Sequence, residues 1–416
     1  MTRRGDVAVT GGGVVSPLGD SPAALHRALA AGTVARRPIE LFDTAAMTCQ
    51  EGGEILPFDP QAYVGERNLR PLDRTSRLLV VAAQLALADS GWTAEMRAAA
   101  EVGLVLGTMF CSLRTIAGFD QRAQRLGPGH ASPLDFANSV INAAAGQTAI
   151  WHGLRGVNST VAAGEASGLL AIAQASELVR TGRAAAVLAA GAEELCFDSF
   201  FGMYKAGRLS RERAVPFDAG RDGFSLSEGA ALLMLEDAEA AAARGAVVRA
   251  RVLGWGTTFA PLPAAAEMAA GVARAVRLAL DDAGCAPEEI GCLSAGASGS
   301  REIDRAEAVG VAAALGERAA TLPVTAIKAM LGEGLGVSAL WQALDLVELL
   351  ADGVLPGIAG LEQLDPAVPL PGAAAATRQL APADRRRVLA TALSADGHCA
   401  ALVLGAPGAG DAGTAG

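Results

Sequence analysis

The amino-acid sequence predicts an α/β protein in which layers of helices cover both faces of a sheet. Short apolar strands alternate with longer helical segments, and the strands are apolar throughout, as in sheets buried on both faces. The same order of strands, loops and helices also occurs twice along the chain. Of the 416 residues, 51% are hydrophobic and 19% charged, which is enough for one large core or two moderate cores. This composition excludes a globally disordered chain.

In the first half, a strand at Val7–Thr10 leads into a glycine turn, and a helix is predicted over about residues 22–32. Residues 73–90 are apolar all round and rich in helix formers, which indicates a buried helix. A short apolar strand follows at Val102–Thr108 and ends in a loop of small residues.

In the second half, a helix is predicted over about residues 265–284 and a strand at Ile290–Ser294. A loop of small residues and a helix over about 301–314 follow. This repetition predicts a duplicated βαβ unit with mostly parallel strands.

We place the boundary between the two halves near residue 250, so that one half spans residues 1–250 and the other 251–406. No linker separates them, which predicts one fused, two-lobed body. The Pro- and Ala-rich stretch 355–384 is predicted to be a surface excursion, and residues 407–416 a disordered tail.

Charge and composition exclude several classes of partner. The net charge is −10, and the basic residues form no stripe with interleaved aromatic residues, so nucleic acid is not an expected partner. The sequence shows neither a signal-peptide pattern nor an apolar run of about 18 residues, so we expect no membrane association and a cytoplasmic location. The six cysteines form no C-x-x-C pairs, and only four histidines accompany them. We therefore expect no disulfide framework, no metal site and no cofactor.

The strongest candidate for a reactive position lies within residues 153–175. This segment is predicted to form a turn, a strand, a tight bend of small residues and a long apolar helix. A side chain at such a bend projects outward above a helix N-terminus, whose N–H groups and partial positive charge favour an activated nucleophile. The residue at the bend is Glu165.

This segment resembles the nucleophile elbow of β-ketoacyl-ACP synthases, and Glu165 stands where that family has its acyl-carrying cysteine. Further blocks match the family in the same order: the opening Val9–Gly19, Asn142–Gln147, Gly191–Glu193, Val215–Ala230, and Asp304 with Glu307. The resemblance covers about residues 5–405. It implies a thiolase-like fold, with two duplicated βαβ-rich halves in a layered αβαβα body.

In the same family two histidines complete the site. The segments that correspond to their loops are Ser294–Ser300 and Lys328–Ser338, and they place Gly296 and Glu333 at the histidine positions. Condensation requires a thiolate and imidazole N–H donors that stabilise the enolate, and decarboxylation alone still requires the histidine donors. Neither reaction is expected from a site that has Glu165, Gly296 and Glu333 at these three positions. Two carboxylates in one buried pocket predict that one is protonated, or that both are held by backbone donors and water.

Part of the family's scaffold is retained. Lys328 is present, and Glu307 with Asp304 matches the acidic loop that partners this lysine in the family, which implies a structural network. Gln342 replaces a further glutamate of that network. The family's gating loop corresponds to Ser394–Cys399 and lacks its phenylalanine.

A ketosynthase-like chain without the nucleophile resembles the chain-length factor, or β subunit, of a type II polyketide synthase. That resemblance implies a heterodimer with a catalytic ketosynthase α subunit. It also implies an acyl carrier protein with malonyl and polyketide thioesters as a further partner. The end of the partner's acyl tunnel is then expected to be lined by residues after the strand that ends at Gly107 and before the helix predicted at 139–151: Phe110, Met109, Ser112, Leu113, Phe136 and Asn138. We expect Phe110 to matter most.

Two other functions stay open. One is an enzyme, a malonyl-ACP decarboxylase or an altered acyltransferase rebuilt around Glu165 and Glu333. The other is a homodimeric pseudoenzyme that serves as a scaffold.

Simpler interpretations also exist for single residues. The Glu165 carboxylate can satisfy the N–H groups at its helix N-terminus, and Phe110 can be a core residue. Cys111 and Cys399 are expected to be inert buried thiols, and His398 a packing or solvent-bonded residue.

Overall fold

The computed structural model describes residues 5–66, 68–261 and 264–408. Most of the predicted tail, residues 409–416, lies outside the described residues. The strands are β1 (Val7–Val15), β2 (Arg37–Pro38), β3 (Glu51–Gly52), β4 (Val102–Gly107), β5 (Asn158–Val161), β6 (Ala186–Glu193), β7 (Gly229–Asp237), β8 (Ala250–Phe259), β9 (Leu293–Ser294), β10 (Val324–Thr325), β11 (Val354–Leu355), β12 (Arg378–Gln379), β13 (Arg387–Leu393) and β14 (His398–Gly405).

The helices are α1 (Pro22–Ala30), α2 (Gln61–Val64), α3 (Arg74–Asp89), α4 (Ala94–Ala99), α5 (Leu113–Leu126), α6 (Pro133–Ala137), α7 (Ala143–His152), α8 (Ser167–Arg180), α9 (Phe197–Lys205), α10 (Ala238–Ala243), α11 (Ala265–Ala283), α12 (Arg301–Leu315), α13 (Lys328–Leu331) and α14 (Ser338–Asp352). Short 3-10 helices lie at Pro128–His130, Pro287–Glu289, Gly316–Ala320 and Leu335–Val337. None of the helices that the structure describes is long and apolar enough to cross a membrane.

Ten strands form one sheet in the order β10-β9-β13-β14-β8-β1-β7-β6-β4-β5. The two halves of this sheet have the same design. In β5-β4-β6-β7-β1 and in β10-β9-β13-β14-β8, the first two pairings are parallel and the last two antiparallel. The predicted duplication is therefore confirmed. The expectation of mostly parallel strands is wrong, because β7 and β14 each return antiparallel between two neighbours.

The halves meet where the beginning of β1 pairs with the beginning of β8, through Val7–Val9. Helices α8 and α14 pack against strands of both halves, so they form a central layer between them. Helices α3 and α7 cover the outer side of the first half, and α11 and α12 that of the second. These layers are the predicted αβαβα arrangement.

Local sequence explains most of these elements. Helix α3 begins after Asp73, whose side chain accepts a hydrogen bond from the Ser76 N–H at 2.8 Å, as an N-cap does. The observed bounds of α3, α11 and α12 agree with the predicted helices within about two residues. The helix predicted from Ser139 instead begins at Ala143, and Phe136 lies on the separate short helix α6.

Candidate functional site

The predicted elbow is present at the start of the central helix α8. Gly164 has a φ of 55°, and a Cβ built there would lie 1.9 Å from the Ser394 Oγ. Only glycine combines this left-handed conformation with so close an approach. The next residue is Glu165, which is 3% exposed.

The Glu165 carboxylate binds groups from two other parts of the chain. Its Oε1 accepts a hydrogen bond from the Arg208 Nη2 at 2.5 Å, and its Oε2 accepts one from the Ser394 Oγ at 2.6 Å. The Ala395 N–H also donates to Oε2, at 3.3 Å. Burial alone would raise the pKa of Glu165, but the charge of Arg208 and the hydroxyl of Ser394 outweigh it and lower the pKa below its usual value.

These contacts extend one interpretation of the sequence, in which the Glu165 carboxylate satisfies backbone N–H groups. The N–H groups of Glu165 itself and of Ala395 do interact with it. The carboxylate also binds Arg208, a residue that the sequence analysis did not identify. The sequence offers only a general indication of such a partner, because a buried carboxylate requires a cation or several hydrogen-bond donors.

Arg208 is fixed on both sides of its guanidinium. The group lies over the Phe224 ring, 5.1 Å from its centroid, and Nη1 is 3.8 Å from the Met203 Sδ. Its main chain also pairs with Phe224, which donates its N–H to the Arg208 carbonyl. The guanidinium thus lies between the elbow and an apolar wall.

Glu333 has a cation of its own. Its Oε2 is 2.7 Å from the Lys328 Nζ, and its Oε1 accepts hydrogen bonds at 2.8 Å from the Leu335 N–H and the Ser338 Oγ. Gly332, with a φ of 83°, turns the chain back after α13 and brings Glu333 to Lys328. The sequence analysis expected either one protonated carboxylate or two held by backbone donors and water. It did not anticipate that each carboxylate has a cation of its own, Arg208 for Glu165 and Lys328 for Glu333.

The third altered position, Gly296, has no space for a side chain. A Cβ built there would lie 2.8 Å from the Thr391 carbonyl oxygen and 3.0 Å from the Ala392 Cα. Its N–H donates to the Glu307 Oε1 at 2.8 Å. A histidine at residue 296 would require strand β13 to move.

Lys328, Glu307 and Asp304 were predicted to form one network, but each binds a different partner. Lys328 forms an ion pair with Glu333, and within the described ranges no pair shorter than 4.0 Å joins it to Glu307 or Asp304. Its charge reaches Glu307 at longer range and lowers the pKa of that residue, but burial dominates and raises this pKa to about 7. The carboxylate of Asp304 is 3.4 Å from the buried Arg221. Gln342 donates to the Ser294 and Thr391 carbonyls at 2.9 and 3.3 Å.

The three positions belong to adjoining loops. Ser394, which binds Glu165, follows β13, and Thr391 of β13 donates its hydroxyl to Glu307 beside Gly296. On the other side, a Cβ built at Gly168 would lie 2.8 Å from the Gly336 carbonyl oxygen, which brings α8 against the loop after Glu333.

Two family profiles match the chain: the β-ketoacyl synthase N-terminal domain at residues 4–241 and the β-ketoacyl synthase C-terminal domain at residues 249–362. The chain belongs to the β-ketoacyl synthase family. Its thiolase-like fold agrees with this assignment.

Relatives with known names cover most of the chain. The 3-oxoacyl-[acyl-carrier-protein] synthase 2 of Synechocystis sp. is 32% identical over 375 residues, which are 86% of this chain and 89% of that protein. The tetracenomycin polyketide synthase ketoacyl synthase beta subunit of Streptomyces glaucescens is 34% identical over 376 residues, again 86% and 89%. The structure of the ishigamide ketosynthase/chain length factor superposes with a TM-score of 0.89 at 29% identity, covering 97% of this chain and 100% of that one. The chain is thus similar to type II polyketide ketosynthase and chain-length factor proteins.

In this chain, the predicted tunnel residues fall into two groups. Glu193, at the end of β6, accepts hydrogen bonds from the N–H groups of Met109 and Phe110 and, at 2.8 Å, from the Thr108 hydroxyl. Burial outweighs these bonds and raises the pKa of Glu193 to about 7. Met109 and Phe110 are half-buried and pack against an apolar cluster that contains Met47, Cys49, Leu195, Phe200, Met203, Leu209, Phe224, Leu226 and Leu335.

The other predicted tunnel residues do not share this cluster. Ser112 is buried and precedes α5, and Leu113, half-buried, is the first residue of α5. Phe136 is 62% exposed, with its ring centroid 5.8 Å from that of Phe119. Asn138 is buried because its amide donates to the Pro71 carbonyl at 2.7 Å.

The remaining candidates are not reactive groups. Cys111 is fully buried, and burial raises the pKa of its thiol to about 12. Cys399 is also buried, with its pKa raised to about 11 for the same reason. His398 lies 3.0 Å from the Asp396 carboxylate and packs edge-on against Phe259. The expected burial of Cys111 and Cys399 is confirmed, and their raised pKa values support the prediction that these thiols are inert.

Proposed function

We propose that this chain is the non-catalytic chain-length factor of a type II polyketide synthase, paired with a catalytic ketosynthase subunit whose acyl tunnel it helps to shape. The observation that carries this proposal is the Glu165–Arg208 ion pair. It occupies the position of the acyl-carrying nucleophile with a buried carboxylate of lowered pKa, a group that cannot form the thioester.

The surroundings of the pair support the same conclusion. Position 296 has no space for an imidazole side chain, and the Glu333 carboxylate forms an ion pair with Lys328. Neither position offers an N–H donor to a developing enolate, so the electrostatic stabilisation that condensation requires is missing.

A surface suited to a partner subunit lies at the end of the first half of the sheet. Strand β5 is the edge strand there. The segment that precedes this strand, residues 126–157, exposes large apolar side chains: Leu126, Leu134, Phe136, Val140, Ile141, Ile150 and Val157. Unpaired strand edges and exposed apolar side chains are both features of protein–protein interfaces. The exposure of Phe136 is consistent with a tunnel wall that is completed by the partner.

An apolar cluster and a neighbouring cavity support the tunnel role. Phe110 packs on the apolar cluster that also contains Phe224, on which Arg208 lies. Beyond the cluster, a cavity of about 320 Å³ lies between α5 and α9, and its lining includes Phe42, Ala117 and Phe197. We propose that an acyl chain from the partner passes Phe110 toward this cavity.

The test is co-expression with a type II catalytic subunit that retains the Cys-His-His set. We expect a stable 1:1 complex, and Phe110→Ala should lengthen its product while leaving the complex intact. Phe259→Ala, which changes an exposed phenylalanine of the second half, is the matched control and should leave product length unchanged. Unchanged products with Phe110→Ala in an intact complex would remove the tunnel role.

A decarboxylation assay of the chain without its partner tests the enzyme alternative. The chain alone, incubated with malonyl-acyl carrier protein, should release no carbon dioxide. Steady release that is lost on Glu165→Ala would overturn the non-catalytic assignment.

A further inference from the structure

A second cavity, of about 380 Å³, lies between the N-terminal turns of α3, helix α5 and helix α6. It is within the size range of small-molecule sites. Four arginines line it: Arg74, Arg77, Arg114 and Arg122. We name it the arginine cavity. It adjoins the cavity considered above, with which it shares Arg114 and Gly118 of α5, but neither Glu165 nor Phe110 lines it.

Two of the four guanidinium groups already have carboxylate partners. Arg74 binds Glu228 through two hydrogen bonds of 2.7 and 2.5 Å. Arg122 forms a longer pair of 3.3 Å with Asp135. These two arginines contribute little free charge to the cavity.

The other two are available. The Arg77 Nη2 donates to the Leu69 carbonyl at 3.3 Å, but its Nε is buried and has no partner among the described residues. Arg114 is exposed, and no ion pair of its side chain is found in the described part of the chain. Guanidinium groups with unused N–H donors match the geometry of phosphate oxygens.

The acidic residues of the lining leave room for an anion. Burial and the nearby Asp73 raise the pKa of Glu194 to about 8, so its carboxyl group is largely protonated at neutral pH and offers an O–H donor. Asp73 uses Oδ1 to cap α3, while its Oδ2 is buried without a partner. A phosphate monoester in its singly protonated form carries both anionic oxygens and one P–O–H donor, so it can satisfy Arg77 and Asp73 together.

The lining also includes the apolar residues Phe58, Pro60 and Leu72. The cavity therefore offers both cationic and apolar side chains to a ligand. We propose that the arginine cavity binds a small organic phosphate, with the phosphate group held by Arg77 and Arg114 and the organic part against Phe58 and Leu72.

Isothermal titration of the full chain with phenyl phosphate tests this site, with inorganic phosphate and benzyl alcohol as single-feature probes. We expect phenyl phosphate to bind most tightly, inorganic phosphate more weakly and benzyl alcohol not measurably. Arg114→Ala should weaken phenyl phosphate binding by at least tenfold. Arg125→Ala is the matched control, because it removes an exposed arginine of the same helix that does not line the cavity.

Three results would overturn the proposal. The first is no binding of either phosphate probe by the wild-type chain. The second is equal weakening by Arg114→Ala and Arg125→Ala, which indicates a general charge effect. The third is binding by the isolated chain that disappears in the complex with a catalytic subunit, which assigns the cavity to a side chain of that partner. Arg114 also lines the cavity assigned to the acyl chain, but Glu165, Arg208 and Phe110 line neither cavity. The Phe110→Ala product-length test therefore decides the chain-length role separately from the phosphate titration.

Discussion

Glu165 and Arg208 form a buried ion pair, with 2.5 Å between Oε1 and Nη2, at the beginning of the central helix. The other carboxylate oxygen binds Ser394 and Ala395 in the loop after β13. One side chain therefore connects three segments that are distant in the sequence. The family resemblance places Glu165 where the nucleophile stands, so under the proposed function a structural ion pair takes the place of a reactive centre.

The ion pair should contribute measurably to stability. Arg208→Ala leaves the Glu165 carboxylate buried without a cation, and we expect it to lower the free energy of unfolding by about 3 kcal/mol. Glu165→Gln should cost less, because Arg208 is 23% exposed at its side chain and can reach water. Urea unfolding of both single variants and the double variant should give a coupling energy of about 2 kcal/mol. A coupling energy near zero would contradict a structural role for the pair.

The pH dependence of this contribution has a defined sign. The pKa of Glu165 is lower in the folded than in the unfolded chain, so its stabilisation is present above the unfolded pKa of about 4.3 and is lost as pH falls through the lowered value. The stability difference between wild type and Glu165→Gln should thus be constant near neutral pH and decrease in acid.

A second ion cluster predicts the opposite pH dependence. His26 of α1 lies between two carboxylates of α14, with Nδ1 2.7 Å from Asp345 and Nε2 3.2 Å from Asp352. Burial would lower the pKa of His26, but the hydrogen bond to Asp345 and the charges of Asp345, Asp352 and Glu348 raise it. The stabilisation is then complete below the unfolded pKa of about 6.5 and is lost as pH rises through the raised value.

Urea unfolding of wild type and His26→Gln between pH 5.5 and 9 measures this effect. The difference in unfolding free energy should be largest at the acidic end and decrease above neutral pH, by about 1.4 kcal/mol for each unit of pKa shift. His130→Gln replaces an exposed histidine and is the control. A difference that grows with pH would show that His26 is neutral in the folded chain.

Gly296 gives a prediction about packing. Gly296→Ala places a methyl group 2.8 Å from the Thr391 carbonyl oxygen, and we expect a loss of about 1–3 kcal/mol from overpacking. Gly202→Ala is the matched control, since nothing lies within 4 Å of its Cβ and alanine favours the helix α9. Thermal unfolding should show a lower Tm for the first variant and an equal or higher Tm for the second. Equal Tm values for Gly296→Ala and wild type would show that β13 moves easily, and a histidine would then fit.

The features predicted correctly from residue patterns are mostly local, whereas the layered fold was predicted from the family resemblance. Helices α3, α11 and α12 follow from periodicity within one segment, and the elbow at Glu165 follows from the small residues beside it. The antiparallel return of β7 and β14 was not predicted, because strand direction depends on connections that periodicity does not encode. Arg208 is 43 positions from Glu165 and Ser394 is 229, so no local pattern joins them. The Lys328–Glu333 pair spans five positions and was within reach of sequence reasoning.

The reactivity of the cysteines tests whether one of them serves as the nucleophile in place of the residue at position 165. All six are buried, and burial raises the pKa of Cys111 to about 12 and those of Cys196 and Cys399 to about 11. At pH 8 the thiolate fraction of a thiol with a pKa of 12 is roughly one in ten thousand, and the thiolate is the reactive form. We therefore expect no rapid reaction of the native chain with Ellman's reagent, and six equivalents after unfolding in guanidinium chloride. An active enzyme that uses another cysteine would instead show one fast equivalent in the folded state. Mass spectrometry would identify that residue, and its replacement by serine would have to abolish both the fast phase and any release of carbon dioxide from malonyl-acyl carrier protein.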